Sequence, residues 1–300
     1  MICQVETGRI WTSRPRRDIM DLHRGGPSRA PARAFPSLYN MRREIVLMHT
    51  TAVFFSATGN SRRCAAAMAH ALDQSAALLD LTQASRLAPE YRFGADELVV
   101  FCAPVYAGRL YTGAAARFGR VWGQNTPCIL AVTYGNRHYD DALAELEDIA
   151  RRQGFVPIGG AALVGRHTYG EIQVDRPDAD DLAACADFAR RAVQRFADGS
   201  ACPAMPGSRP YREGGVGKHA WVPRVTDACN GCGACAQVCP EGAIDPADPR
   251  ATRADRCISC FACLRTCPRG GRVMDEQAYL EFAAAFSQRL AQRRENEFFL

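Results

Sequence analysis

The sequence "FFSATGNS", residues 54–61, follows a short apolar run and precedes a segment with helical periodicity. A strand that leads into a helix through Ser, Thr, Gly and Asn is typical of a phosphate-binding loop, because hydroxyls and backbone N–H groups at a helix N-terminus bind anions. The stretch lacks the lysine and the GxxxxGK[ST] spacing of nucleotide triphosphate loops. It therefore predicts a site for a phosphate that is bound permanently and is not transferred.

Strands and helices alternate from residue 49 onward. Apolar runs predict strands over 51–56, 76–81, 97–105, 128–134 and 155–164. Periodic segments predict helices over 61–72, 113–122, 140–153 and 178–197. This order predicts an α/β fold with a doubly wound five-stranded parallel sheet over 49–197, which binds ligands beyond the carboxyl ends of its strands.

The first 47 residues form a separate, arginine-rich segment. They hold nine arginines against Glu6, Asp18, Asp21 and Glu44, which accounts for the net charge of +5. We interpret the segment as a disordered extension or a start placed too early, with a transit peptide as the alternative. The remainder is near neutral, which argues against a nucleic-acid surface.

Three further segments follow the predicted sheet. Residues 198–224 are rich in Gly and Pro and predict a linker, and residues 225–274 hold most of the cysteines. Residues 275–300 predict an amphipathic helix that docks on the core. Its apolar face consists of Tyr279, Phe282, Ala283, Phe286 and Leu290. No apolar run approaches the roughly 18–20 residues of a membrane span, so we expect none.

Eight of the 14 cysteines form an internal duplication. The first run, residues 229–240, is "CNGCGACAQVCP", and the second run, residues 257–268, is "CISCFACLRTCP". Both are CxxCxxCxxxCP, the pattern of bacterial two-cluster ferredoxins, and zinc is the alternative that fits this spacing poorly. We expect a small α+β domain with two 4Fe–4S clusters.

In this pattern the fourth cysteine of each run ligates the other run's cluster. Carried onto this chain, the predicted ligands of cluster one are Cys229, Cys232, Cys235 and Cys267. Those of cluster two are Cys257, Cys260, Cys263 and Cys239. Gly231 and Gly233 leave backbone N–H groups free to approach the cluster. Four of the other cysteines fall inside predicted elements, which predicts that they are buried apolar residues. These four are Cys64, Cys102, Cys128 and Cys185.

The loop over residues 54–61 resembles the phosphate loop of flavodoxins, [ST]xTGN[ST], at the expected place after the first strand. The resemblance implies that FMN is bound by loop residues, namely Ser56, Thr58, Gly59, Asn60 and Ser61. Two further segments, "APVYAG" (103–108) and "TYGNR" (133–137), are similar to the flavin-flanking loops of that family. They imply flavin contacts from Tyr106, Gly108, Tyr134 and Gly135. We expect Arg62 and Arg63 to face solvent.

The combination of the two parts over residues 49–275 resembles the flavodoxin-domain ferredoxins, often labelled EFR-type ferrodoxins. A further segment, "GRHTYG" (165–170), is predicted to be a surface loop. The alternative is that His167 and Tyr169 reach over the flavin as proton donors.

These features predict a cytoplasmic electron-transfer protein that relays electrons between low-potential redox partners. No GxGxxG motif follows a strand, so the chain is expected to have no NAD(P)H site of its own. Two alternatives stay open. One is a flavin-dependent reductase of a small-molecule acceptor, fed by its own ferredoxin domain. The other is a ferredoxin whose flavodoxin-like part is an empty docking domain.

Overall fold

A computed structural model describes residues 48–86, 90–215 and 221–300. The predicted N-terminal extension, residues 1–47, lies outside the described residues. The strands are β1 (His49–Phe54), β2 (Ala77–Asp80), β3 (Tyr91–Phe93), β4 (Glu97–Tyr106), β5 (Arg109–Leu110), β6 (Val121–Gly123), β7 (Thr126–Tyr134), β8 (Phe155–Val164), β9 (Arg224–Val225), β10 (Arg272–Val273) and β11 (Glu297–Phe299). The helices are α1 (Asn60–Leu72), α2 (Thr112–Phe118), α3 (Ala142–Arg152), α4 (Ala179–Ala197), α5 (Ala234–Gln237), α6 (Ala262–Thr266) and α7 (Gln277–Arg289).

The central sheet contains five parallel strands in the order β2-β1-β4-β7-β8. Numbered along the chain, these strands have the order 2-1-3-4-5, which is the flavodoxin-like arrangement. The strand order reverses between β1 and β4, so the carboxyl ends of these two strands form the expected ligand-binding crevice. The structure thus confirms the predicted flavodoxin-like parallel sheet.

Helices cover both faces of this sheet because its strands are apolar on both sides. On β1, Val53 belongs to one buried cluster and Phe54 to the other, and both are almost fully buried. Helices α2 and α3 pack on the Val53 side, whereas α1 and α4 pack on the Phe54 side. All four cysteines predicted to be apolar core residues are buried. A parallel sheet covered on both faces accepts ligands only at its strand ends.

The predicted helix over 113–122 is too long. Helix α2 ends at Phe118, where Gly119 serves as the C-cap. Residues 121–123 form β6, which pairs with β3 in a small parallel sheet. The short apolar segment after Gly119 satisfies its backbone groups against another strand, a tertiary pairing that helical periodicity does not reveal.

The predicted C-terminal helix over 275–300 is also too long. Helix α7 ends at Arg289, and the Asn136 side-chain amide donates to the carbonyl oxygens of Leu290 and Gln292 at 2.8 and 2.7 Å. Strand β11 then pairs antiparallel with the outer edge of β8. This pairing covers an edge that would otherwise present unpaired backbone groups. Tyr279, the first residue of the predicted docking face, is buried.

Part of the predicted linker packs tightly. Met205 is buried, and its backbone N–H donates to the Glu147 carboxylate of α3 at 3.0 Å. Arg209 forms an ion pair with Asp148 of the same helix at 2.8 Å. The cysteine-rich segment follows, with β9 and β10 pairing antiparallel across it. In the described parts of the chain, no helix has the length and apolarity needed to cross a membrane.

Candidate functional site

A cavity of about 280 Å³, which we call the strand-end cavity, opens at the carboxyl ends of β1, β4, β7 and β8. Its walls come from four strand-end loops, from the second cysteine run and from α7. The predicted site residues that line it are Ser56, Thr58, Asn60, Ser61, Tyr106, Tyr134 and Gly135. Gly59 and Gly108 lie in the same loops but are not among the lining residues. The cavity thus brings the three loops of the flavodoxin resemblance together.

The loop after β1 is held in place by its own hydroxyl groups. The backbone N–H of Arg62 donates to the Ser56 hydroxyl at 3.0 Å, and the buried Ser61 and Thr133 hydroxyls lie 2.7 Å apart. The Thr58 hydroxyl, by contrast, has no hydrogen-bond partner in the described parts of the chain. The first N–H groups of a helix lack intrahelical partners. Thr58 and the α1 N-terminus therefore offer donors to an anion in the cavity.

Positive charge reaches this loop from a distant part of the sequence. The Asn60 side-chain amide donates to the backbone carbonyl of Arg166 at 2.9 Å, which fixes the loop after β8 beside the loop after β1. Arg166 and Arg137 both line the cavity, and no acidic residue does so among the described residues. Outside the lining, Arg166 forms an ion pair with Glu171 at 3.6 Å, and Arg137 forms one with Asp140. Two guanidinium groups from other strand ends thus lie at the wall of the cavity. The arrangement fits an anionic group.

The two predicted flavin-flanking tyrosines have different surroundings. Tyr106 is half-buried, and burial raises the pKa of its hydroxyl well above the usual range. Tyr134 is only 3 % exposed, and its ring packs edge-on against Tyr139 at a centroid distance of 5.5 Å. Its hydroxyl is buried without a partner in the described residues. Tyr106 is therefore the more accessible of the two from the cavity.

The loop after β8 is not the exposed surface loop that the sequence predicted. In this loop, the side chain of His167 lines the strand-end cavity. Its imidazole ring packs edge-on against the Phe286 ring of α7 at a centroid distance of 4.9 Å. A side chain on Gly135 would meet this ring, because the position of a Cβ lies 2.1 Å from His167 Cδ2. Burial lowers the pKa of His167 to about 4, and the backbone N–H of Tyr169 donates to its Nδ1 at 2.9 Å. Neutral pH therefore leaves this imidazole uncharged.

The cysteines line two smaller cavities. The first cysteine cavity is lined by Cys229, Cys232, Cys235 and Cys267. The second cysteine cavity is lined by Cys239, Cys257, Cys260 and Cys263. Each therefore contains three cysteines of one run and the fourth of the other, which is the grouping that crossed ligation requires. Among the described residues, no three His, Cys, Asp or Glu side chains converge on a single metal-ion position.

The fourth cysteine of each run accepts the same backbone hydrogen bond. The N–H of Ala243 donates to Cys239 Sγ at 3.2 Å, and the N–H of Gly271 donates to Cys267 Sγ at 3.1 Å. These two donors are related by the duplication. Hydrogen bonds to the ligand sulfurs are one of the ways in which a protein sets a cluster's reduction potential. The hydrogen bonds to Cys239 and Cys267 thus fit iron–sulfur ligation.

The second cysteine cavity shares a wall with the strand-end cavity. Ile258 lines both, and the adjacent Ser259 lines the strand-end cavity; these residues lie between Cys257 and Cys260. Ile258 and Cys260 are buried in the same cluster as the core strands β4 and β7. Burial raises the pKa of the Cys260 thiol to about 12. A group bound in the second cysteine cavity is therefore separated from the strand-end cavity by little more than one side chain.

Arg117 of α2 joins the two parts of the chain on another side of the second cysteine cavity. Its guanidinium is buried and donates to the carbonyl oxygen of Pro240 at 3.2 Å and to the Glu241 carboxylate at 2.5 Å. It also donates to the carbonyls of Leu81 and Thr82 at the end of β2. Because a buried arginine needs several acceptors, these contacts fix the position of the cysteine-rich segment.

Sequence reasoning missed the part of the site that tertiary packing creates. Arg166, Ile258 and Ser259 could not be connected to the 54–61 loop from their positions in the sequence. One signal was present: the first run has "CNGC" where the second has "CISC", so bulkier side chains replace polar and glycine residues. The aromatic wall from α7, Phe282 and Phe286, was predicted only to pack on the core.

The comparisons with known proteins divide between the two parts of the chain. Residues 222–268, which include all eight cysteines of the two runs, match the family described as 4Fe-4S dicluster domain. No curated protein sequence matches the chain. Among solved structures the chain is similar to flavodoxin 2 from Bacillus cereus, at 14% identity over 49% of this chain and 99% of that chain, with a TM-score of 0.36.

Two other solved structures resemble the same region. One is a flavodoxin from the domain Archaea, at 13% identity over 51% of this chain and 98% of that chain, with a TM-score of 0.33. The other is rubredoxin oxygen:oxidoreductase from Desulfovibrio gigas, at 11% identity over 54% of this chain and 39% of that chain, with a TM-score of 0.36. The chain thus joins a flavodoxin-like fold to a ferredoxin-type 4Fe–4S domain, and this combination supports a role in electron transfer.

Proposed function

We propose that this chain is an electron-transfer protein that holds two 4Fe–4S clusters in its cysteine cavities and FMN in its strand-end cavity. The observation that carries the proposal is the shared wall at Ile258, which places the second cysteine cavity directly against the strand-end cavity. When bound, FMN exchanges one or two electrons and each cluster exchanges one. The protein's contribution is to hold these groups close together and to exclude water between them.

The residues of the strand-end cavity have separate tasks in this proposal. Thr58 and the N-terminal N–H groups of α1 would bind the phosphate, and Arg166 would balance its charge. Tyr106 and the aromatic side chains of α7 would flank the ring system. Ile258 and Ser259 would form the dry contact toward the second cysteine cavity. The first cysteine cavity, whose Cys232 is exposed, would face the external redox partner.

Cofactor content tests the proposal first. Protein reconstituted anaerobically should contain about eight iron atoms and one FMN per chain, and reductive titration should consume about four electrons per chain. Two electrons and no flavin would support the alternative in which the flavodoxin-like part is empty. Zinc, or half the iron, would contradict the two clusters.

The phosphate site is tested by flavin binding to apoprotein. FMN should bind more tightly than riboflavin, because the loop's donors act on the phosphate. Thr58→Ala should weaken FMN binding by about tenfold or more, since a hydrogen bond to a charged group contributes about 1.5–3 kcal/mol. The matched control is Thr112→Ala, at an exposed threonine that begins α2 and does not line the cavity. Equal affinities for FMN and riboflavin would contradict the proposed site.

A further inference from the structure

The first cysteine cavity contains a buried positive charge that has no acidic partner. Arg272 is only 2 % exposed and lines this cavity. Its two Nη atoms donate to neutral oxygens, the Thr252 hydroxyl at 2.8 Å and the Pro249 carbonyl at 2.6 Å. Its Nε is buried and has no hydrogen-bond partner in the described residues. No carboxylate in the described parts of the chain forms an ion pair with it.

A buried charge without a counter-ion is strongly destabilising, so an arginine in this position requires an anion that the protein alone does not supply. The duplication shows that the position does not itself demand an arginine. The residue related to Arg272 by the 28-residue displacement is Ile244, which is equally buried. An apolar side chain therefore fits the equivalent place in the other half of the repeat.

The guanidinium lies between the two cysteine cavities. Pro249, which accepts a hydrogen bond from one Nη atom, lines the first cysteine cavity. Thr252, which accepts from the other Nη atom, lines the second. Arg272 thus lies where a single fixed charge is close to both cavities.

We propose that Arg272 is the shared counter-charge of the two clusters, with Nε donating to a sulfur atom in the first cysteine cavity, and that it raises the reduction potentials of both. This inference rests on the proposed two-cluster function. A positive charge favours the more negative, reduced state of each cluster. Net charge and hydrogen bonds to the sulfurs are the levers by which a protein sets these potentials.

The test is a redox titration of the holoprotein followed by electron paramagnetic resonance. Arg272→Gln should make reduction at least tenfold less favourable at both clusters, a shift of about 59 mV or more to lower potential. Arg272→Lys retains the charge, so its two cluster potentials should stay close to those of the wild type. The control is Arg269→Gln, since Arg269 lines the same cavity but is exposed and screened by solvent, and it should change little. Unchanged potentials in Arg272→Gln, or a shift at one cluster only, would overturn the inference.

A second measurement covers the case in which Arg272→Gln does not retain its clusters. Wild-type protein labelled with arginine that carries ¹⁵N only in its guanidinium group should show ¹⁵N coupling to a reduced cluster in electron–nuclear double resonance. The coupling should disappear in Arg272→Lys and persist in Arg269→Gln. Its absence from wild-type protein that contains two clusters would overturn the Arg272 assignment. Wild-type protein with fewer than two clusters would instead contradict the proposed function, so the two failures are distinguishable.

Discussion

The two cysteine runs have the same backbone and opposite surroundings. Gly231 and Gly233 of the first run have φ values of 76° and 75°, and the residues related to them by the duplication, Ser259 and Phe261, have φ values of 54° and 59°. A left-handed conformation costs a non-glycine residue roughly 1–2 kcal/mol. The second run therefore accepts a backbone cost that the first run avoids.

The side chains of the second run explain why the cost is tolerated. Ser259 is buried and accepts a hydrogen bond from the backbone N–H of Trp221 at 3.2 Å. Phe261 is buried against Tyr169 and Tyr279, with ring centroids 5.4 and 5.5 Å away. In the first run, by contrast, Asn230, Gly231 and Cys232 are exposed to solvent. The comparison teaches that one duplicated backbone was adapted to face inward in one copy and outward in the other.

The largest expected effect comes from removing the fourth cysteine of one run, which tests whether ligation is crossed. Cys267→Ala should remove the cluster of the first cysteine cavity and about half of the iron, because the fourth cysteine of the second run lines that cavity. Its spectra should match those of Cys229→Ala, measured by electron paramagnetic resonance after reduction. Cys239→Ala is the control and should damage the other cluster. A match between Cys267→Ala and Cys257→Ala would show local, uncrossed ligation.

The next largest effect is expected at Phe261, the buried aromatic residue of the second cysteine run. Phe261→Ala should lower the free energy of unfolding by about 3–5 kcal/mol, the cost of removing a buried phenyl ring. Phe261→Gly should be less harmful than Phe261→Ala by about 1 kcal/mol, since glycine adopts a positive φ without strain. Chemical denaturation of the holoprotein measures both. If glycine proves worse than alanine, the left-handed backbone is not a cost at this position.

The contact between Arg117 and the segment after the first run should contribute nearly as much. Arg117→Met removes the buried partner of Glu241 and the donors to Pro240, and we expect a loss of about 3 kcal/mol in unfolding free energy. Arg269 occupies the place related to Glu241 by the duplication and is exposed. Arg269→Met should therefore change stability by no more than about 0.5 kcal/mol. Similar losses in the two variants would remove the distinction between the docked and the exposed copy.

Acid should lower the stability of the packing around His167, between the loop after β8, α7 and the second cysteine run. His167 packs on α7, and its backbone carbonyl accepts a hydrogen bond from Arg265 of the second run at 3.1 Å. Burial lowers its folded-state pKa to about 4, against about 6.5 when unfolded, so the unfolded chain binds the extra proton. The stability that this group contributes is fully present above pH 6.5 and is lost as the pH falls toward 4, by about 3 kcal/mol. His167→Gln should flatten the denaturation profile over that window; an unchanged slope would contradict the assignment.

The fold was more predictable than the site because the strands of a buried parallel sheet carry their own apolar signal. The five strands and the helix after "FFSATGNS" lie close to their predicted ends. The eight cysteines line two cavities, four in each, and their ligation stays a prediction. Strand β11 was missed because its pairing with β8 is purely tertiary. Arg166 was missed for the same reason: it reaches the loop through a contact with Asn60 from 106 positions away.

The smallest expected effect comes from exchanging Gly231 and Ser259, which occupy equivalent positions in the two cysteine runs. A Cβ on Gly231 would meet no atom within 4 Å, so Gly231→Ser adds only the backbone cost of a left-handed serine, roughly 1–2 kcal/mol. Ser259→Gly removes the same cost but also removes the hydrogen bonds of a buried serine, about 1 kcal/mol each, so it should bring no net gain in stability. Denaturation of the two single variants and the wild type decides between two explanations of the duplication. If Gly231→Ser is neutral, the left-handed turn is free in both copies and Ser259 needs no compensating contact. If it is destabilising while Ser259→Gly brings no gain in stability, the hydrogen bonds of Ser259, including the one from Trp221, are what permit a serine at the wall between the second cysteine cavity and the strand-end cavity.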